Sequence, residues 1–159
     1  MIAKRSKLKL LTTDVLESSI VFHPNSLDAE EVLTKMFDAP VIIDFDIKIN
    51  EEGLYYAFVT IGINKEESAD FGYSINVTGA SVFEFEDDTP DDEKQDLISS
   101  GVNITITHLR GYINAVTSYY PLGSFSFHSI DMKALFQEKA KGRKESSKVQ
   151  KSTSWKTND

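Results

Sequence analysis

From Val41 to Asn50 the chain places apolar residues at 41, 43, 45, 47 and 49 and charged or polar residues at 44, 46, 48 and 50. Side chains on a strand point alternately to opposite sides, so alternation held over ten residues reads as a strand with one dry and one wet face. Glu51-Glu52-Gly53 makes the turn that follows. The next run, Leu54–Ile63, is rich in aromatic and β-branched residues and has no polar side, which makes it a strand covered on both faces. The two form a hairpin around the glycine.

The same reading extends in both directions. Lys7 to Phe22 is an extended strand interrupted near Thr12–Asp14 and stopped by Pro24-Asn25. Ser26 is placed to cap a short helix with Asp28, Glu30 and Glu31 in its first turn. Asn64–Asp70 is a charged loop, and Phe71–Glu86 is a further sheet segment in which Gly79 marks a bulge or bend. Strands that follow one another through short loops pair antiparallel.

The period then changes. Thr89 as cap, Pro90 at the first helical position and three acidic residues after it predict a helix start, with a short helix ending near Gly101. Apolar residues at 106, 109, 112, 113 and 116 predict a second helix, roughly 104 to 119, closed by Tyr120-Pro121-Leu122-Gly123. Phe125 and Phe127 alternate with Ser and His, and Asp131 caps a last helix from Met132 to about Lys141. Strands first and helices afterwards define an α+β fold: a four-stranded antiparallel sheet with helices packed on one face. From Gly142 the chain is polar and aperiodic and reads as a disordered tail. The organisation is therefore one folded domain over 1–141 and a basic tail over 142–159.

Composition narrows the function. The chain has 159 residues, 40% of them hydrophobic, enough for one core. With no cysteine, disulfides and thiolate metal sites are excluded. No apolar run approaches the roughly 20 residues that span a bilayer, and the start lacks the pattern of a leader. The expectation is a cytoplasmic protein without membrane insertion. Of the 17 basic and 25 acidic residues, seven and two fall between Lys139 and Asp159, leaving 10 and 23 before them. So acidic a body does not suit nucleic acid, whose phosphates are bound by clustered Lys and Arg.

Catalytic chemistry finds no support. His23, His108 and His128 form no pair at a spacing of three or four, and no nucleophile elbow or phosphate-binding loop is present. Asp44 and Asp46 share one strand face, and Glu84, Glu86, Asp87 and Asp88 crowd a strand end, but a solvated sheet surface accounts for both. The expectation is a binding protein, not an enzyme, with no metal and no cofactor.

Several local strings, in this order, resemble the SecB family of protein-export chaperones. They are Val21-Phe22-His23-Pro24-Asn25 after the first strand, Val41-Ile42-Ile43-Asp44-Phe45-Asp46 on the second and the Tyr-bearing run Leu54–Ile63. Gly79-Ala80-Ser81-Val82-Phe83, Asn103 with Arg110, and Asp131 to Phe136 continue the likeness over roughly residues 7 to 138. The acidic residues with which that family docks the motor SecA before its Pro-Asn pair are not matched by Ser18-Ser19-Ile20-Val21, and the tail here is basic where the family's is commonly acidic.

The resemblance implies a holdase that binds unfolded polypeptide clients in apolar grooves, in export with SecA as a partner. Its alternative is a dedicated interaction protein of the same fold, such as a toxin–antitoxin chaperone or adaptor with one partner. It implies client contacts at Val41, Ile43, Phe45 and Ile47, with Tyr56 and Phe58 adding aromatic surface. It also implies a homotetramer built as a dimer of dimers, with Leu109, Tyr112, Ile113 and Val116 of the long helix at the subunit contact.

Overall fold

The computed structural model describes residues 2–25, 27–65 and 70–153, with side chains as far as Gly142. In chain order the elements are β1 (Leu8–His23), α1 (Ala29–Asp38), β2 (Val41–Ile49), β3 (Tyr55–Ile63), β4 (Gly72–Phe85), α2 (Asp91–Thr117) and α3 (Met132–Thr153). The strands form one antiparallel sheet in the order β1-β4-β3-β2. The strands β2, β3 and β4 follow one another directly, whereas β1 lies on the far side of β4 and the chain returns to β2 through α1. Asn50 organises the β2–β3 turn: its Oδ1 accepts the Leu54 N–H at 2.8 Å, and Gly53 takes a φ of 78° that a side chain would strain.

The register puts every second residue of β3, namely Tyr55, Ala57, Val59, Ile61 and Ile63, on the face that carries Tyr73, Ile75, Val77 and Phe83 of β4. All are buried, together with Val102, Ile106, Leu109 and Ile113 of α2, which lies across β1, β3 and β4. We call this the inner face. Fully burying one such Leu or Ile is worth about 1.5–3 kcal/mol, so this layer is the main source of stability in the subunit.

The helix is continuous where the sequence reading ends it. Gly101 does not terminate α2, because it serves as a point of close approach: a Cβ there would lie 3.1 Å from the Tyr55 ring and 3.3 Å from that of Phe83. A lone glycine costs a helix only about 1 kcal/mol, and intimate packing on two aromatic rings offsets that. The helix start also shifts by one residue, with Pro90 at the N-cap and no side-chain capping bond from Thr89. At α1 the cap is Asp28, whose Oδ1 accepts from the Glu31 N–H at 2.9 Å; Ser26, expected in that role, lies outside the described residues.

Gly79 is a second close-approach site. A Cβ there would meet Leu109 at 2.6 Å and the Asp14 carbonyl at 2.9 Å. The irregularity expected at Gly79 is carried by the opposite strand, in register shifts between Leu10 and Thr12 and between Val15 and Glu17. These flank the Thr12–Asp14 stretch where an interruption was expected, and β1 runs through it. Three hydroxyls join the layers beneath: Thr105 Oγ1 lies 2.8 Å from Ser81 Oγ, itself 2.9 Å from Thr13 Oγ1.

Residues up to His128 form one compact unit and those from Ser129 a second. In the first, the segment after α2 is not a strand, yet Phe125 and Phe127 are buried, and the Phe125 N–H donates to Thr117 Oγ1 at 2.8 Å. In the second, Asp131 caps α3 as the sequence predicts, accepting from the Ala134 N–H at 3.0 Å. The backbone stays helical from Gly142 to Thr153, across the start of the polar tail. The rest of that tail, 154–159, lies outside the described residues.

Burial pushes the Tyr55 hydroxyl pKa up, well above the usual tyrosine value, and Tyr73 is raised for the same reason. The folded state therefore holds these protons more tightly than the unfolded chain, whose tyrosines titrate near about 10. This contribution is fully present below that pH and is lost as pH rises above it. Urea unfolding should give a stability that falls as pH rises above about 10, with a smaller fall in Tyr55→Phe; an identical pH dependence in the two proteins would contradict this.

Candidate functional site

The six residues expected to touch clients do not share one face. Register places Val41, Ile43, Phe45 and Ile47 opposite Ile63, Ile61, Val59 and Ala57, on the inner face. Tyr56 and Phe58 point the other way, to the open face of the sheet. The inner set is unevenly covered. Phe45 is sunk to 4% exposure, Val41, Ile43 and Ile47 are half-buried, and Ile49, next on the same face, is 62% exposed. At this edge of the sheet the inner face becomes an apolar ledge.

Two aromatic contacts hold the segment that follows α2. Phe37 of α1 is 56% exposed and packs its ring 5.8 Å from that of Phe125. Arg110 of α2 stands 4.7 Å over the Phe127 ring and donates from Nη2 to the His128 carbonyl at 3.2 Å, fixing the returning segment beside the helix. On β2 the Asp44 carboxylate accepts the Phe45 N–H at 2.9 Å, occupying a backbone donor on an edge strand.

On the open face Tyr56 and Phe58 stack with ring centroids 6.4 Å apart and planes 13° apart, and the Lys48 ammonium lies 5.5 Å over Phe58. Asp44, Asp46 and Lys48 face outward beside them, as the alternation implied. The two apolar surfaces lie back to back, with the β2 edge between them.

Of the four residues expected at a subunit contact, Leu109 and Ile113 are 0% exposed inside this subunit, under α2 and against the sheet. Tyr112 and Val116 are half-buried and retain surface. The period-3.6 pattern picks out the apolar stripe of a helix, and that stripe faces its own sheet first. Ile49 was missed as a ledge residue. Ile49 carried the signal, as the last apolar member of the alternation.

Among the described residues no helix is long and apolar enough to cross a membrane, and no group of His, Cys, Asp or Glu is arranged to hold a metal ion. His23 Nε2 lies 2.8 Å from Ser74 Oγ and ties β1 to β4.

No protein-family model matches the chain, and no curated protein matches its sequence. Among solved structures it is similar to a SecB-like chaperone of Mycobacterium tuberculosis, solved in complex with a peptide from the HigA1 antitoxin. The TM-score is 0.53 at 10% identity, covering 78% of this chain and 88% of the other. The fold is thus that of SecB-like chaperones. At this identity the likeness concerns the fold alone.

Replacing Leu109 or Ile113 by Ala should cost the subunit about 2–5 kcal/mol, by transfer and cavity terms together. Val116→Ala should cost clearly less, and urea unfolding at a fixed protein concentration decides between them. Equal losses at 109 and 116 would contradict the placement of Leu109 in the core.

Proposed function

We propose that this protein is a holdase: it binds unfolded or non-native polypeptide segments on the apolar ledge of β2 and performs no chemistry on them. The observation that carries the reading is the unequal cover of the inner face, where Ile49 is 62% exposed and Val41, Ile43 and Ile47 stay partly accessible beside fully buried β3 neighbours. An apolar strip of scattered aliphatic side chains accepts many sequences, because hydrophobic contact is non-directional. Phe45 forms the floor of the ledge. Tyr56 and Phe58 give a client that wraps round the β2 edge a second, aromatic contact on the open face. The acidic body favours clients with basic segments.

Assembly as a homotetramer, a dimer of dimers, fits the remaining surface of α2, with Tyr112 and Val116 as contact residues. In this reading the protein works in the cytoplasm, with SecA as the partner that receives export clients. A second reading has its own support: the similar Mycobacterium chaperone is seen with an antitoxin peptide, which favours a dedicated partner for the same ledge. Suppression of aggregation for several unrelated clients separates the holdase from the adaptor, which would serve one.

A charge at Phe45 would disrupt a buried site, so the ledge is better tested at Ile49. Ile49→Asp should leave folding stability within about 0.5 kcal/mol, as surface substitutions do. It should weaken binding of a labelled unfolded client roughly tenfold or more, the loss expected from one apolar anchor. Unchanged affinity by fluorescence anisotropy would refute the ledge.

A further inference from the structure

The β2–β3 turn and the connection from β4 to α2 meet at one end of the sheet, and a cavity of about 270 Å³ lies between them. Its lining includes Glu52, Leu54, Phe85, Glu86, Asp87 and Thr89, all within the first compact unit. This is below the roughly 300–1,000 Å³ of a small-molecule site, and it suits one inserted side chain.

Carboxylates dominate the walls. Besides Glu52, Glu86 and Asp87, the cavity is bordered by Glu84 and by a single ammonium, that of Lys94. Lys9 engages Glu84 at 3.2 Å and Asp91 engages Lys94 at 2.5 Å, so Glu52, Glu86 and Asp87 form no ion pair among the described residues. The positive end of the α2 dipole is offset by Asp91, Asp92 and Glu93 in its first turn. The excess of negative charge reaches Lys7, whose pKa is raised first by its hydrogen bond to Glu93 and further by the charges of Glu93, Asp88 and Glu86.

Acidic residues at a strand end need no ligand, but Thr89 sets this group apart. It is 7% exposed and lines the cavity, yet its Oγ1 has no hydrogen-bond partner among the described residues. The hydroxyl is left over because Pro90, not Thr89, takes the N-cap of α2. Buried polar groups almost always find a partner, so an unmade bond at a cavity wall points to a group that arrives from outside. Charge makes that group a cation. Among the described residues no three carboxylates are arranged to hold one metal ion, so the acceptors surround a space and not a point. A guanidinium, with five N–H donors spread in a plane, fits such a space better than a compact ion. Leu54 and Phe85 offer apolar wall to a methylene stem, and the Phe85 ring offers its π-face to the cation.

We propose that this cavity binds the arginine side chain of another polypeptide, with Glu52, Glu86 and Asp87 taking the guanidinium and the Thr89 hydroxyl accepting one of its N–H groups. The site goes beyond the holdase reading, since no ledge residue takes part in it.

The probe is arginine capped as N-acetyl-arginine methylamide, added to the isotope-labelled full chain and followed by amide NMR, beside its neutral isostere, the equally capped citrulline. The signals of Gly53, Glu86 and Thr89 should shift together and saturate, with citrulline bound about tenfold more weakly because it lacks the charge-assisted bonds. Glu86→Gln combined with Asp87→Asn, both exposed changes, should bring arginine and citrulline within about twofold. Thr89→Val removes an unpartnered hydroxyl, so it should leave stability to urea no lower while weakening arginine binding about threefold or more. Equal affinity for arginine and citrulline, the absence of saturable shifts, a preference that survives the double substitution, or undiminished binding in Thr89→Val would each overturn the proposal. Calcium that saturates the same signals at a lower concentration than arginine would make the cavity a metal site and overturn it as well.

Discussion

One helix cannot roof four strands. An α-helix with its side chains is about 10–12 Å across, while the outer strands of this sheet are separated by about 14 Å before their own side chains are counted. The helix α2 lies over β1, β3 and β4, and β2 is at the edge. The segment that carries Phe125 and Phe127 adds cover beside the helix but leaves Ile49 exposed. The ledge is a consequence of that mismatch of widths. An edge strand with a strict alternation of apolar and charged residues presents its dry face to whatever arrives there.

The helix holds its place because small residues let it come close. Gly101 rests on Tyr55 and Phe83, Gly79 admits Leu109, and Thr105 reaches Ser81 through the layer. A larger side chain at either glycine would lift α2 from the sheet. These contacts keep the inner-face β3 side chains inaccessible and leave apolar exposure to the two edge strands, at Ile42 and Ile49 on β2 and at Leu10, Leu11, Leu16 and Val21 on β1. On the open face the same sheet shows Asp14, Glu17, Asp44 and Asp46 with the Tyr56–Phe58 pair among them, so its two faces suit different partners.

Much of this was legible in the residues, and the failures share one cause. The alternation at 41–50, the turn at Gly53 and the cap at Asp131 depend on neighbours in sequence, and each folds as read. Gly101 and Gly79 were read as local punctuation, yet both are set by side chains far away in sequence. The place of β1 beside β4, and not beside β2, is equally non-local. For the site, periodicity told which residues are apolar but not what covers them. It could not separate Leu109, sealed under the helix, from Ile49, left at the rim, nor show that Tyr56 and Phe45 lie on opposite faces until the register was known.

Client binding on β2 requires that the ledge be accessible to a non-native chain. Methyl NMR on isoleucine-labelled protein tests this most directly, because the ledge and the core both contain isoleucines. Adding an unfolded client should shift or broaden the methyls of Ile43, Ile47 and Ile49, while those of Ile61, Ile106 and Ile113 stay in place. Perturbation of the core methyls alone, or of none, would show that the ledge is not where a client binds.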